Sequence, residues 1–492
     1  MLKPHARPPA SRSLSLAAVV AAASAASAQI TEIIDSTGDG VGNPLQAPEA
    51  VAVDGVGNVY VVGGSSHNAF KITPGGTITE IIDQAGDGLG NTLNFPQGIA
   101  VDGSGNVFVA GRFSANVFRI TPAGTISAII TSSGDGAGNS LSGPYRLAVD
   151  GAGNVYVPGQ FSDNAFKITP GGTITEIIDA TGDGVGNSLD APHGIAVDGA
   201  GNVFVAGEIS DNVFRITPAG TITEILDDTG DGLGNAFNNG RDVAVDGAGN
   251  VYVAGGGSGL SDNAFKITPG GVVTEIIDET GDGLGNPLSS PAGVALDAAG
   301  NVYVTGASSS NVFMITAAGA ITEIIDNTGD GAGNTLLSCF DVELDAAGNA
   351  YVVGSNSANV FRIEFASLTG DVAQISVSAG GVQTLSLDAG LPNAGAIHFL
   401  LGSLSGTSPG QTFGAADLPL NFDGYFLFTL VNPNSPPLSN SVGILDGQGQ
   451  GTTLFTVPPG TSGTLAGLVL NHAYGLLGSP FVSNPVQLTL TP

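Results

Sequence analysis

Apolar and polar positions alternate in short runs along most of this chain, and the runs recur in a fixed order. In the stretch from Pro192 to Gly234, Ile195–Val197 ends in the turn Asp198-Gly-Ala-Gly-Asn202, and Val203–Ala206 stops at Ser210-Asp211-Asn212. Val213–Thr217 leads into Pro218-Ala-Gly220, Thr221–Leu226 closes the unit, and a Gly-rich segment carries the chain onward. The runs are rich in Val, Ile, Phe and Thr, which suit a pleated, half-buried surface, and Gly, Asn and Pro supply the turns between them. The pattern predicts four short antiparallel strands per unit.

The unit occurs seven times. The aspartate that opens its Gly-x-Gly-Asn turn falls at Asp54, Asp102, Asp150, Asp198, Asp246, Asp297 and Asp345, a spacing of 48 residues except for one interval of 51 around Gly257–Leu260. Four strands at this period predict a β-propeller blade. Ile30–Asp35 supplies only a fourth strand, and Val342–Ile363 supplies strands one to three after the last complete unit. The two incomplete ends complement each other. The expected fold is therefore all-β: a seven-bladed propeller in which the N-terminal strand closes the last blade, removing exposed sheet edges.

The text Pro-x-Gly-Ile-Ala-Val-Asp-Gly-x-Gly-Asn-Val-Tyr-Val resembles the NHL-type repeat and also the bacterial seven-bladed propeller repeat, over roughly residues 30–366. Such a resemblance implies fold far more than activity, because propellers of this kind include scaffolds, binders and several lyases.

The ends of the chain differ from the repeat. Residues 1–28 read as a secretory signal peptide: Lys3, Arg7 and Arg12, then the apolar Leu14–Ala23, then Ala26-Ser27-Ala28 as a cleavage site. The apolar run is short for a membrane span and no later segment is suited to one, so we expect export to periplasm, cell surface or medium. The domains expected are 1–28 (signal), 29–366 (propeller) and 367–492, where Lys, Arg and Glu vanish. In that last segment Ala373–Ser378, Val382–Asp388, Ala396–Leu401, Tyr425–Leu430, Thr452–Val457 and Val486–Leu490 read as strands of a β-sandwich-like domain. His398 and His472 lie within strand-like runs and read as structural.

The net charge of −31 argues against nucleic acid as a partner and favours cations. The single cysteine, Cys339, excludes an intrachain disulfide; it stands where five other units have proline, and reads as a small, partly buried filler.

Two candidate sites follow from blade geometry. The Asp-x-Thr-Gly-Asp-Gly-x-Gly-Asn loops place oxygen donors at alternating positions, as a calcium loop does: Asp35/Asp39/Asn43, Asp83/Asp87/Asn91, Asp179/Asp183/Asn187, Asp227/Asp231/Asn235, Asp278/Asp282/Asn286 and Asp326/Asp330/Asn334. Thr131 breaks the third loop, and the bidentate glutamate of an EF-hand is missing. The same residues also suit tight turns, with Asp and Asn capping nearby N–H groups. Ca²⁺ and turn-capping both stay open.

The second candidate is the ring of residues that begins the innermost strands. Within an otherwise monotonous text these positions hold Glu49, Gln97, Tyr145, His193, Arg241 and Phe340, followed by Arg146, Asp242 and Asp341. Such diversity on a repeat scaffold marks a ligand-binding surface. The second-to-third loops add His67, Arg112, Phe113, Gln160, Phe161, Glu208 and Ile209 near the same face, while the shared Asn68, Asn116, Asn164, Asn212, Asn263, Asn311 and Asn359 serve the turns.

No nucleophile elbow and no phosphate loop leading into a helix is present. We expect an exported, non-catalytic binding protein whose channel mouth takes a small polar ligand, a peptide or a glycan. The alternatives are a lyase or hydrolase working at the same mouth, as the resemblance allows for some propellers, and a structural envelope or matrix scaffold.

Overall fold

The computed structural model describes residues 29–492 apart from 258–260, 299, 318, 366, 390–394, 408–410, 414, 415, 447, 448, 478–482 and 484. The expected signal peptide lies outside the described residues. The described chain forms two compact units, one of them Gln29–Glu364, and the second including Phe365–Pro492.

The first unit holds seven four-stranded antiparallel sheets; six have their strands in chain order from the innermost outward, and the seventh takes its outermost strand from the N-terminal end. Blade four shows the plan: Pro192–Val197, Val203–Gly207, Asn212–Ile216 and Ile222–Leu226. Neighbouring blades pack face to face, so the core lies between them: Tyr60, Val62 and Ala69 of blade one meet Val107, Val109 and Phe118 of blade two. The third strand of every blade buries one phenylalanine completely (Phe70, Phe118, Phe166, Phe214, Phe265, Phe313 and Phe361). Burial of this kind contributes roughly 1.5–3 kcal/mol per ring.

The ring closes through the N-terminal strand. Gln29–Ile34 pairs with Asn359–Glu364 in the register Ile30↔Ile363, Thr31↔Arg362 and Glu32↔Phe361. The same hydrogen bond marks the third and fourth strands of ordinary blades and this composite one. Asn68 Nδ2 donates to Glu80 Oε1 at 2.9 Å within blade one, and Asn359 Nδ2 donates to Glu32 Oε1 at 2.7 Å across the closure. The closing strand therefore occupies an ordinary fourth-strand position.

The fourth-to-first and second-to-third connections meet on one face. Gly64 N donates to Ala47 O at 2.9 Å, Gln46 N to Ser66 Oγ at 3.1 Å and Asn68 Nδ2 to Pro44 O at 3.1 Å, so the shared asparagines do hold this junction. From that face the innermost strands run inward at about 3.3 Å per residue, setting successive layers around the central channel.

Blade three departs from the plan. Its innermost strand is reduced to Ala148–Val149, and Tyr145 and Arg146 precede it outside the ladder. Gly98 of blade two makes room for this detour, because a Cβ there would stand 2.0 Å from Tyr145 O. Cys339, expected to be partly buried, is fully buried.

The C-terminal unit has a four-stranded sheet (Ser367–Gly370, Gly381–Asp388, Gln450–Val457, Leu438–Ser439) and a five-stranded one (Gln374–Ser376, Val486–Thr491, Val469–Leu476, Ile397–Ser403, Val442–Ile444). Leu385 and Phe455 of the first share a core with Leu400, Tyr474 and Leu488 of the second, so the sheets face each other. One expected strand is a helix: Tyr425–Leu430 lies within Gly424–Val431. Asp423 decides the difference, because its Oδ1 accepts from Tyr425 N and Phe426 N and caps the first turn. His398 and His472 are fully buried, with Nε2 against Asn440 O at 3.1 Å and Tyr425 Oη at 2.9 Å.

Ile34 is the buried anchor of the closing strand, whereas Val41 is fully displayed at a loop tip. Ile34→Ala should lower stability by about 2–4 kcal/mol and Val41→Ala by less than about 0.5 kcal/mol, read as urea midpoints of the propeller transition. Equal effects would mean that the ring does not depend on this strand.

Candidate functional site

Diversified residues from the innermost strands converge on one cavity at the channel mouth. It measures about 170 Å³ and is lined by Glu49, Tyr145, Arg146, His193, Arg241 and Phe340, with Ala292 completing the inner ring. The second-to-third loops contribute Arg112, Gln160 and Glu208. Six of the nine residues expected to bind ligand thus line one opening. Gln97 sits beside it, with Nε2 3.5 Å from Tyr145 Oη.

Asp242 and Asp341 have a different place from the one expected. Both are buried one layer deeper, where they serve the scaffold. Arg146 reaches from blade three across the channel, donating to Asp341 Oδ1 and, at 3.0 Å, to Phe340 O, with Asp242 Oδ2 3.7 Å away. The aspartates in turn accept from the next blade's backbone: Asp341 from Val51 N at 2.8 Å and Asp242 from Val294 N at 3.0 Å. This cluster ties blades three, five, six, seven and one together and floors the cavity. Burial raises Asp242 to about 6 against the pull of Arg146, while the same aspartates hold Arg146 firmly protonated.

Glu343 went unrecognised in the sequence. The matching position is alanine in every other blade (Ala52, Ala100, Ala148, Ala196, Ala244, Ala295), and that contrast was the available signal. Its side chain is exposed to solvent on the innermost strand of blade seven, within the surrounding ring. Enclosure, then the charges of Asp341 and Asp242, push it up to about 8.

At the mouth itself, His193 Nδ1 lies 3.2 Å from Arg241 O and so carries the proton it donates. Nε2 is left as an acceptor, 3.9 Å from Glu208 Oε2. Burial, reinforced by the charge of Arg146, holds the imidazole well below its ordinary value and therefore neutral. Tyr145 stacks on His193 with ring centroids 3.5 Å apart. Arg112 Nη2 donates to Gln160 Oε1 at 2.6 Å, and Gln160 Nε2 donates to Glu208 Oε2 at 2.9 Å. The Arg112 guanidinium also lies over Tyr145, Phe113 and Phe161. Burial raises Glu49 to about 7, opposed chiefly by Arg146. His67, expected near the mouth, has its Nδ1 occupied by Phe95 N at 2.9 Å.

The Gly-rich loops direct their carboxylates onto their own backbone. Asp39 Oδ1 accepts from Val41 N at 3.0 Å and Asn43 N at 3.3 Å, and Oδ2 from Asn43 Nδ2 at 2.7 Å. The other asparagines counted as candidate cation ligands are likewise turned onto a carboxylate as donors. Asn91 Nδ2 donates to Asp87 Oδ2 at 2.6 Å and Asn187 Nδ2 to Asp183 Oδ2 at 2.8 Å. Asn235 Nδ2 donates to Asp231 Oδ2 at 2.8 Å, Asn286 Nδ2 to Asp282 Oδ2 at 2.8 Å and Asn334 Nδ2 to Asp330 Oδ2 at 2.7 Å.

The first aspartates of the loops cap as well. Asp35 Oδ1 accepts from Thr37 N at 2.8 Å and Thr37 Oγ1 at 2.6 Å. Asp83, Asp179, Asp227, Asp278 and Asp326 each accept in the same way from the backbone N–H two residues on. Gly38 is required at its turn, with φ of +64° and a Cβ position 1.9 Å from Asn43 O. Of the two roles left open by the sequence, turn-capping is the one this geometry displays, because a short polar side chain on a tight turn finds its nearest N–H donors in its own loop. Among the described residues no group of three or more His, Cys, Asp or Glu is arranged to hold a metal ion.

Residues 80–118 and 184–215 match a family described as a beta-propeller repeat, SBBP. The chain carries beta-propeller repeats. Solved structures agree with this propeller. A streptogramin B lyase superposes with a TM-score of 0.54 at 14% identity, covering 68% of this chain and 97% of its own. Virginiamycin B lyase from Staphylococcus aureus superposes at 0.52 and 14% identity, covering 68% of this chain and 99% of its own. A catalytically inactive histidine-to-alanine variant of the latter, solved with quinupristin, gives 0.52 at 15% identity over the same shares. At these identities the likeness establishes the fold. No curated protein matches the chain in sequence.

Two outcomes test the electrostatics. Glu343 ionises at about 4.5 in the unfolded chain and about 8 when folded, so its ionisation opposes folding increasingly as pH rises across that window. Glu343→Gln should therefore stabilise the propeller at pH 8, leave it unchanged near pH 4, and flatten the fall between them in urea titrations. Millimolar Ca²⁺ or EDTA should leave the melting temperature unchanged, since the loop carboxylates already have partners; a rise of several degrees with Ca²⁺ would assign the loops to metal.

Proposed function

We propose that this is an exported binding protein whose propeller takes a small polar ligand at the channel mouth. One observation carries the reading. Residues scattered across five units of an otherwise fixed text, Glu49, Tyr145, His193, Arg241 and Phe340, come together around a single cavity. Frame positions that only shape the fold stay constant between blades, so diversity confined to one opening reflects what enters it. A cavity near 170 Å³ is about the size that admits a benzene-sized molecule. It suits a small polar ligand or the tip of a larger one such as a peptide or glycan.

A second reading rests on His193. A neutral imidazole with Nδ1 fixed by a carbonyl and Nε2 facing the cavity is oriented as a general base. A lyase of similar fold loses catalysis in a histidine-to-alanine variant. This supports a lyase or hydrolase at the same mouth as the alternative. Either way the ligand meets the same side chains.

A thermal-shift screen of polar metabolites, short peptides and oligosaccharides against wild type and the Tyr145→Ala/His193→Ala/Arg241→Ala triple variant tests the location. Hits should stabilise wild type and lose at least about tenfold in affinity in the variant, roughly 1.4 kcal/mol. Equal shifts in both proteins would move the site away from the channel mouth. Turnover of a hit by wild type, abolished by His193→Ala alone, would favour the enzymatic reading.

A further inference from the structure

The cations of this chain are few and their placement is informative. Of twelve Lys and Arg, three lie in the first 28 residues. Six of the other nine occupy one repeated position in the third strand: Lys71, Arg119, Lys167, Arg215, Lys266 and Arg362. There they stand opposite an aromatic residue of the second strand, as in Tyr60↔Lys71 and Phe108↔Arg119. The three that depart from this position are Arg112, Arg146 and Arg241, from two blades and one second-to-third loop. All three line the channel-mouth cavity.

Their partners separate them. The charge of Arg146 is met by Asp341 and Asp242. Arg112 has a neutral hydrogen-bond acceptor, Gln160 Oε1, and aromatic faces, and among the described residues no carboxylate is paired to it. The guanidinium of Arg241 makes no hydrogen bond or ion pair among the described residues. Its Nε is buried without a partner, as is that of every other described arginine, so what sets Arg241 apart from Arg112 and Arg146 is that its terminal nitrogens have no partner either. A half-buried guanidinium without an acceptor costs free energy that an incoming anion recovers, and its fork matches a planar carboxylate in two parallel hydrogen bonds. On a chain of net charge −31, the three cations among the described residues that leave the repeat pattern all stand at one opening, where they offer positive groups to an anion beside Glu49 and Glu208.

Acceptors complete the set. Glu208 receives Gln160 Nε2 on Oε2 alone. Glu49 has a long contact, 3.5 Å, from Ser355 Oγ and a further one from the Gln97 amide, which leaves acceptor capacity on its carboxyl. Both suit hydroxyl donors on the ligand. We propose that the channel mouth binds a small hydroxycarboxylate, its carboxylate on Arg241 and Arg112 and its hydroxyls toward Glu208 and Glu49. The inference rests on the reading of the mouth as the ligand site and names the ligand's chemistry.

Calorimetry and thermal shift on the full chain test it with matched probes: glycolate against glycolamide, lactate against lactamide, glucuronate against glucose, and inorganic phosphate. At least one acid should bind, about tenfold or more tighter than its neutral partner and than phosphate, and weaken with added salt. Arg241→Gln should weaken that acid about tenfold. Lys266→Gln, which removes the same charge from the outer pattern position, should change nothing. Neutral partners bound as tightly as the acids, with binding lost in the Tyr145/His193/Arg241 triple alanine, would overturn the carboxylate assignment and keep the mouth as the site. Phosphate bound as tightly as the acids would also overturn that assignment. No binding by any probe would overturn this inference and leave the mouth to the broader ligand screen, whereas acid binding untouched by every mouth substitution would overturn both the inference and the reading beneath it.

Discussion

The constraint on which everything else rests is closure of the ring by a strand from the far end of the propeller sequence, with Glu32 bonded to Asn359 across 327 residues. Without the pairing of Gln29–Ile34 to Asn359–Glu364, the seventh blade would present an unpaired edge, and the inner strands of blades one and seven would have no fixed relation. The bond from Val51 N to Asp341 Oδ2 shows that relation directly, joining the two blades at the level of the channel. A closed ring gives seven inner strands one common axis. Residues remote in sequence can then face each other over a few ångströms.

The channel uses that proximity in two layers with opposite logic. The deeper one is compensated: Arg146 meets two aspartates, and each aspartate also accepts from a neighbouring backbone amide. A buried ion cluster of this kind contributes little as an isolated pair, but removing one member leaves charge stranded. Its position across several blades makes it a fastening for the ring. Tyr145 and Arg146 leave the sheet ladder to make it, which is why blade three has a shortened innermost strand. The upper layer differs: among the described residues Arg112 and Arg241 form no ion pair, and the imidazole of His193 is neutral, which is the arrangement on which the proposed ligand site rests.

The Gly-rich loops carry a lesson about motifs. Their alternating oxygens read equally well as ligands and as caps, because both roles need short polar side chains on a tight turn. The orientation of Asn43 Nδ2 toward Asp39, repeated from loop to loop, satisfies the carboxylates from within. Spacing cannot express which way a carboxylate turns.

The sequence by itself determined the blade count, the four strands in each, the composite seventh blade and the set of positions that vary around the channel. These follow from periodicity, turn chemistry and complementary ends, all local properties repeated often enough to be unmistakable. It also pointed to Glu49, Tyr145, His193 and Arg241 as neighbours, since ring closure brings equivalent positions together. Only the tertiary structure decided which of the varying residues face the cavity and which serve the floor, because Arg146 chooses Asp341 and Asp242 by distance across the channel. It alone placed Glu343 beside them, and it turned Tyr425–Leu430 into a helix through a cap at Asp423. Equivalent positions in a repeat are alike to the backbone, and the contacts that separate them are made between blades, where no local pattern reaches.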